Sequence, residues 1–83
     1  DTPIEATVRL VKALSLAYKI FLVTAREESD RPVSKAWLSE HNIPYDRIVM
    51  RPNGDQRRAY EFKRQSLLDL RRDGYIVHLA IED

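Results

Sequence analysis

Apolar residues in this 83-residue chain fall into two patterns, one with a helical period and one of short unbroken runs. Ile4, Val8, Val11 and Leu14, with Leu10 beside them, recur at the three- and four-residue spacing that gathers side chains on one helical face, up to about Leu16. The segment Thr2-Pro3-Ile4-Glu5 supplies its start, a capping box with proline at the first helical position. After Tyr18 and Lys19 the pattern changes. Ile20 to Val23 is short, continuously apolar and rich in strand formers, which predicts a strand covered on both faces and hence a parallel sheet.

The same alternation continues. Arg26 to Arg31 reads as a polar loop, with Asp30 as a helix cap and Pro32 in the first turn. The helix that follows should turn Val33, Ala36 and Trp37 inward and run to about His41, with Asn42 in the left-handed position after it and Pro44 blocking continuation. A second strand spans about Arg47 to Met50. Strand, helix, strand at this spacing predicts a right-handed βαβ unit with parallel neighbours. Arg51-Pro52-Asn53-Gly54-Asp55 is turn chemistry. A third helix should begin near Asp55 or Gln56, keep Phe62, Lys63, Leu67 and Leu70 near its buried side, and close on Arg71, Arg72 and Gly74. Tyr75 to Ile81 is the third predicted strand. The expected fold class is α/β, a Rossmann-like three-layer α/β/α arrangement around a parallel sheet.

Composition narrows this picture. The length allows one domain with a small core, and 43% apolar with 33% charged residues is a globular mixture. The absence of cysteine removes disulfides, thiolate nucleophiles and Cys-ligated zinc, and fits a cytoplasmic location. No apolar run approaches the roughly 20 residues of a membrane span. Net charge is only +1, yet Arg47, Arg51, Arg57, Arg58, Lys63, Arg64, Arg71 and Arg72 crowd the second half, which allows an anion-facing stripe. The start at Asp1 and the stop directly after an apolar run lead us to expect a piece of a longer protein.

Candidate chemistry sits where the predicted strands end. Thr24 and Arg26 follow the first strand, where a hydroxyl, backbone N–H groups and a guanidinium can bond phosphoryl oxygens; a plain strand end with Arg26 paired to Glu27, Glu28 or Asp83 is the other reading. Lys63 shares a helical row with Leu67 and Leu70 near a helix N-terminus, which calls either for an anionic partner or for an apolar stem whose head reaches water. Glu82 and Asp83 end the third strand; such oxygens suit Mg²⁺, or they begin a solvated acidic turn. His41 and His78 lack partners at metal-ligand spacing and read as structural. Dinucleotide, Walker, nucleophile-elbow and zincin motifs are missing.

Taken in order, these parts resemble the haloacid dehalogenase-like (HAD) superfamily of phosphotransferases. LVTAR, at residues 22–26, is similar to its second motif, a strand ending in Ser or Thr; Lys63 followed by Leu67 resembles its third; LAIED, at 79–83, resembles its acidic fourth. MRPNGD, at 50–55, brings the resemblance closest to the phosphatase domain of polynucleotide kinase/phosphatase. It covers residues 4–83. The resemblance implies a Mg²⁺-dependent phosphatase working through an aspartyl-phosphate. Thr24, with Ala25 and Arg26, would hold the phosphoryl group or the substrate, Lys63 would neutralise it, and Asp83 with Glu82 would hold the metal. The implied substrate is a phosphomonoester, a nucleotide or a nucleic-acid 3′ end. Departures are Ala25, where the closest relatives carry Gly, Ala59, where some carry an acid, and the missing first motif, D-x-D-G-T.

In that superfamily the missing strand lies between those ending at Thr24 and Ile81, and without it a gap of roughly 10 Å would leave backbone groups unpaired. The expectation is that the remainder of the parent chain supplies it, and that residues 1–83 alone fold poorly and are inactive. Two other readings stay open: a non-catalytic Rossmann-like module whose basic half binds nucleic acid or a protein partner, with salt-sensitive affinity, and a structural subdomain.

Overall fold

A computed structural model describes residues 2–76 of the chain. Helix α1 (Pro3–Ser15) starts on the expected box: Thr2 Oγ1 accepts the Glu5 N–H at 3.1 Å, and the Thr2 N–H donates to the Glu5 carboxylate at 3.4 Å. Its apolar row does not become a core face, because no residue of α1 is buried and Ile4 is 54% exposed. Periodicity orients side chains toward one side; burial also needs a surface there, and among the described residues none packs broadly on α1.

Strands β1 (Phe21–Glu27) and β2 (Arg47–Arg51) pair in parallel, Phe21 opposite Arg47, Leu22 opposite Ile48, Val23 opposite Val49 and Thr24 opposite Met50. Asp46 pins that register at its lower end. Its carboxylate accepts the Ile20 N–H at 2.7 Å, and its own N–H donates to the Ile20 carbonyl at 2.7 Å. A one-residue slip would break both bonds and turn every apolar side chain to the wrong face.

The polar loop predicted over Arg26 to Arg31 is partly strand. Glu27 re-pairs with Arg51, so Ala25 and Arg26 form a bulge, and a 3₁₀ turn (Glu28–Asp30) leads straight into α2 (Arg31–Glu40). Asp30 stands at the cap position without a side-chain capping bond. Its φ of −89° and ψ of 4° continue the preceding turn and lie outside the extended region from which a side chain folds back onto the first helical N–H groups.

Helix α2 faces inward through Leu38, not through Val33, Ala36 and Trp37 as expected. Val33 is 65% and Trp37 44% exposed, and Ala36 is also exposed. Leu38 joins Ile48 and Met50 in a buried cluster against which Leu22, Ile43 and Tyr45 pack. The end of α2 fixes this rotation. Asn42 takes φ 55°, the Asn42 N–H donates to the Ser39 carbonyl and the Ile43 N–H to the Leu38 carbonyl, so Ile43 folds back against Leu38 in a Schellman motif.

Alternation along the strands sends Val23 and Val49 to the opposite face from Leu22, Ile48 and Met50. Helix α3 (Ala59–Arg72) packs against β1 and buries Phe62, Ser66 and Leu70 outside the Leu38 cluster. Its start is later than predicted. The Asp55 carboxylate accepts the Arg57 N–H at 2.9 Å, which holds residues 55–57 in a turn, and Arg58 is extended. Gly74, at φ 98°, closes α3 as expected, and Tyr75 packs edge-on against Phe21 at 4.8 Å. The fold is a partial Rossmann-like α/β arrangement around a parallel pair of strands. The predicted strand beyond Ile76, with His78, Glu82 and Asp83, lies outside the described residues.

Candidate active site

The carboxyl ends of β1 and β2 open into a cleft of about 620 Å³. Thr24, Ala25, Arg26 and Lys63, widely separated in sequence, all line it. Each arrives by a different route. Thr24 is the last residue of β1 in register with β2, and the bulge that follows lifts Ala25 and Arg26 out of the regular ladder. Lys63 stands on the second turn of α3, half-buried, on the helix that β1 holds through its other face. Glu82 and Asp83, the remaining site residues expected from the sequence, lie outside the described residues.

Thr24 is already oriented by its neighbour. Its Oγ1 accepts the Arg26 N–H at 3.2 Å, so the hydroxyl's own hydrogen is the polar contact it can offer to a bound oxygen. Two side-chain bonds tie the loops at the mouth of the cleft together. The Glu27 carboxylate accepts the Gly54 N–H at 3.1 Å, and Asn53 Oδ1 accepts the Ser29 N–H at 3.0 Å. Gly54 has φ 78° in a turn closed by the Asp55 N–H on the Pro52 carbonyl, which is the residue requirement of a type II turn.

Four cleft residues were not singled out from the sequence: Glu27, Ser29, Asp30 and Arg51. For Arg51 a signal existed. It ends an apolar strand run just as Thr24 does, and it was read as turn chemistry with the proline after it. Its Nη1 donates to the Arg57 carbonyl at 2.9 Å, while its Nε is buried without an acceptor. Arg57 is in turn gripped by Asp55, whose two oxygens accept its Nε at 2.9 and 3.0 Å. That hydrogen-bonded guanidinium, more than its charge alone, lowers the Asp55 carboxyl to about 2.

Lys63, Arg26 and Arg51 bring three cationic groups to the cleft against the carboxylates of Glu27 and Asp30. Such a surface suits a phosphoryl oxyanion. For a divalent metal the described residues fit poorly, since no three of their His, Asp or Glu side chains cluster to hold one, and Glu27 is already bonded to Gly54. His41 is structural in its contacts, its ring stacked on Trp37 at 4.2 Å with Nδ1 bonded to the Trp37 carbonyl. No helix among the described residues is long and apolar enough to cross a membrane.

Comparison with curated proteins and with solved structures finds no match. Comparison with protein-family models matches residues 1–83 to the polynucleotide kinase PNKP phosphatase domain, a HAD-type phosphatase family. The order of strand-end hydroxyl, helix lysine and intervening turn found in the fold is the order on which that resemblance rested, and the chain belongs to the PNKP phosphatase domain family.

Proposed function

We propose that this chain forms the phosphoryl-holding part of a Mg²⁺-dependent phosphatase acting on phosphomonoesters, with a 3′-phosphorylated nucleic-acid end or a nucleotide as substrate, in the cytoplasm. The observation that carries the reading is the meeting of Thr24, Ala25, Arg26 and Lys63 in one cleft beyond the carboxyl ends of parallel strands, where open α/β sheets bind ligands. Family membership adds the phosphatase chemistry.

In this reading the Thr24 hydroxyl donates to a non-bridging oxygen of the bound phosphoryl group, and Arg26 bonds the same group or the substrate backbone. The Lys63 ammonium neutralises charge as it builds on those oxygens. Positioning and charge neutralisation supply most of the catalysis in phosphoryl transfer. In the family's reaction a carboxylate oxygen attacks phosphorus, the bond to the leaving oxygen breaks, and that oxygen takes a proton from a second carboxylic acid. Water then releases phosphate from the aspartyl-phosphate. Residues 1–83 hold no D-x-D pair, so neither carboxylate is assigned here, and the residues alone are expected to be inactive. Glu82 and Asp83 are the proposed ligands of Mg²⁺, which would offset charge on the phosphoryl oxygens.

The open side of the sheet supports a further segment of the parent protein as the source of the central strand. Among the described residues β1 has one strand partner, β2, and α1 keeps its apolar row uncovered. The test is phosphate release from a 3′-phosphorylated oligonucleotide by the full-length protein with Mg²⁺. Lys63→Ala should lower kcat by about 100-fold or more without changing the circular dichroism spectrum. An inert wild-type protein, or a mutant with unchanged kcat, removes the proposal.

A further inference from the structure

A guanidinium offers a carboxylate or phosphate a paired edge, because the Nε and Nη2 hydrogens point to the same side. Two arginines in this fold have that edge filled from within the chain. Arg31 donates through Nε and Nη2 to the two oxygens of Glu28 at 2.8 and 2.9 Å, and Arg57 donates through the same two nitrogens to Asp55. Arg51 differs. Its Nη1 is fixed on the Arg57 carbonyl, and its Nε is withdrawn from water with no acceptor.

An unsatisfied buried donor on a charged group is costly, and such a group in a native fold calls for an explanation. The local acid cannot supply one. Asp55 lies within electrostatic reach of Arg51, but its oxygens are committed to Arg57. The grip of Asp55 on Arg57 in turn holds the Arg57 carbonyl against Arg51 Nη1. Arg51 is therefore a pre-positioned cation whose paired edge lacks an oxyanion, and it lines the same cleft as Thr24 and Lys63.

We infer that Arg51 is a substrate-binding residue whose Nε–Nη2 edge takes two non-bridging oxygens of a phosphate group in the cleft. This rests on the phosphate-binding reading of that cleft and adds a ligand to it on the β2 side. The phosphate is either the monoester to be hydrolysed or a diester of the strand that carries it, and both present the same pair of oxygens.

The decisive measurement uses the Nε–H signals of the full-length wild-type protein in ¹H–¹⁵N NMR, assigned with Arg51→Lys. Titration with inorganic phosphate should move the Arg51 Nε–H downfield and slow its exchange with water. A response to phosphate identifies the monoester as the ligand. A response seen only with a 3′-hydroxyl oligonucleotide, which carries diesters alone, assigns the edge to the strand. Arg51→Lys keeps the charge but loses the edge, and should raise KM for the 3′-phosphorylated oligonucleotide roughly tenfold or more while the melting temperature stays near that of the wild type. An Arg51 signal unmoved by either titrant, in a protein whose Thr24 and Lys63 signals do respond, overturns the assignment and leaves the phosphatase reading standing. A protein in which none of these signals responds overturns both.

Discussion

Helix α1 and the cleft at the far end of the strands are held by bonds of very different reach. At α1 the defining bonds join Thr2 and Glu5, three residues apart. At the cleft they join Ser29 to Asn53 across 24 residues and Glu27 to Gly54 across 27, on a strand pair whose lower end is closed by Ile20 and Asp46 across 26. The difference separates order from burial. α1 is completely specified by its own sequence and contributes no buried residue, whereas the cleft has little local specification and depends on the core beneath it.

The strongest way to break that contrast is to damage the cleft from below. Phe62 is 4% exposed, one residue before Lys63, on the face of α3 that packs toward β1. Truncation to alanine should cost about 3 to 5 kcal/mol of stability through lost transfer energy and the cavity left behind. In so small a domain that is a large part of the total, and phosphate binding should disappear together with the cooperative unfolding transition. Urea denaturation of Phe62→Ala followed by tryptophan fluorescence checks this. A loss below about 1 kcal/mol would mean that α3 does not depend on this anchor.

Legibility in the sequence follows the same division. Features decided within a few residues were readable: the capping box at Thr2, the left-handed residue Asn42, the closing Gly74 and the apolar run of β1. So was the meeting of Thr24, Ala25, Arg26 and Lys63, because strand ends and helix starts share one edge in a parallel α/β unit. The misses involve partners distant in sequence or competing for the same backbone. The rotation of α2 is set by Leu38 meeting Ile48 and Met50, which the nearly equivalent rows through Val33 and Trp37 could not reveal. The bulge at Ala25 and Arg26 needs Glu27 to find Arg51, and the late start of α3 needs Asp55 to choose Arg57 over a capping role. Arg51 was missed because its significance lies in a bond it lacks.

A smaller effect is expected where the cleft meets bulk solvent through Asp55 and Arg57. The Asp55 side chain is 11% exposed and its carboxyl is lowered to about 2 from 3.8, chiefly by the hydrogen bonds from the Arg57 side chain. A carboxyl lowered in the folded state stabilises that state above its unfolded value, and the contribution is lost as pH falls through the folded one. Wild type should thus be more stable than Asp55→Asn at pH 7, and their melting temperatures should converge as pH drops from about 4 toward about 2. A gap that persists at the acid end would assign the role of Asp55 to its shape and not to its charge. The same variant should also loosen the Arg57 carbonyl from Arg51, which makes it an indirect probe of the cleft's β2 wall.

The smallest effect belongs to α1. Ile4 heads the apolar row of that helix, yet it is 54% exposed, and isolated surface substitutions of this kind change stability by no more than about 0.5 kcal/mol. Ile4→Ser leaves the Thr2 cap, Pro3 and Glu5 untouched, so the helix start is preserved and only the apolar contact is removed. Thermal unfolding of the variant should be within a degree or two of wild type in residues 1–83. In the full-length protein the outcome is more informative, since a central strand added beside β1 would bring new surface to this end of the fold. A penalty there near the 2 to 5 kcal/mol typical of buried Ile truncation would show that the row reading Ile4, Val8, Val11 and Leu14 is a core face whose cover comes from elsewhere in the parent chain. A negligible penalty in both would make the row an exposed stripe, and the contrast between α1 and the cleft would then be permanent, owing nothing to an absent partner.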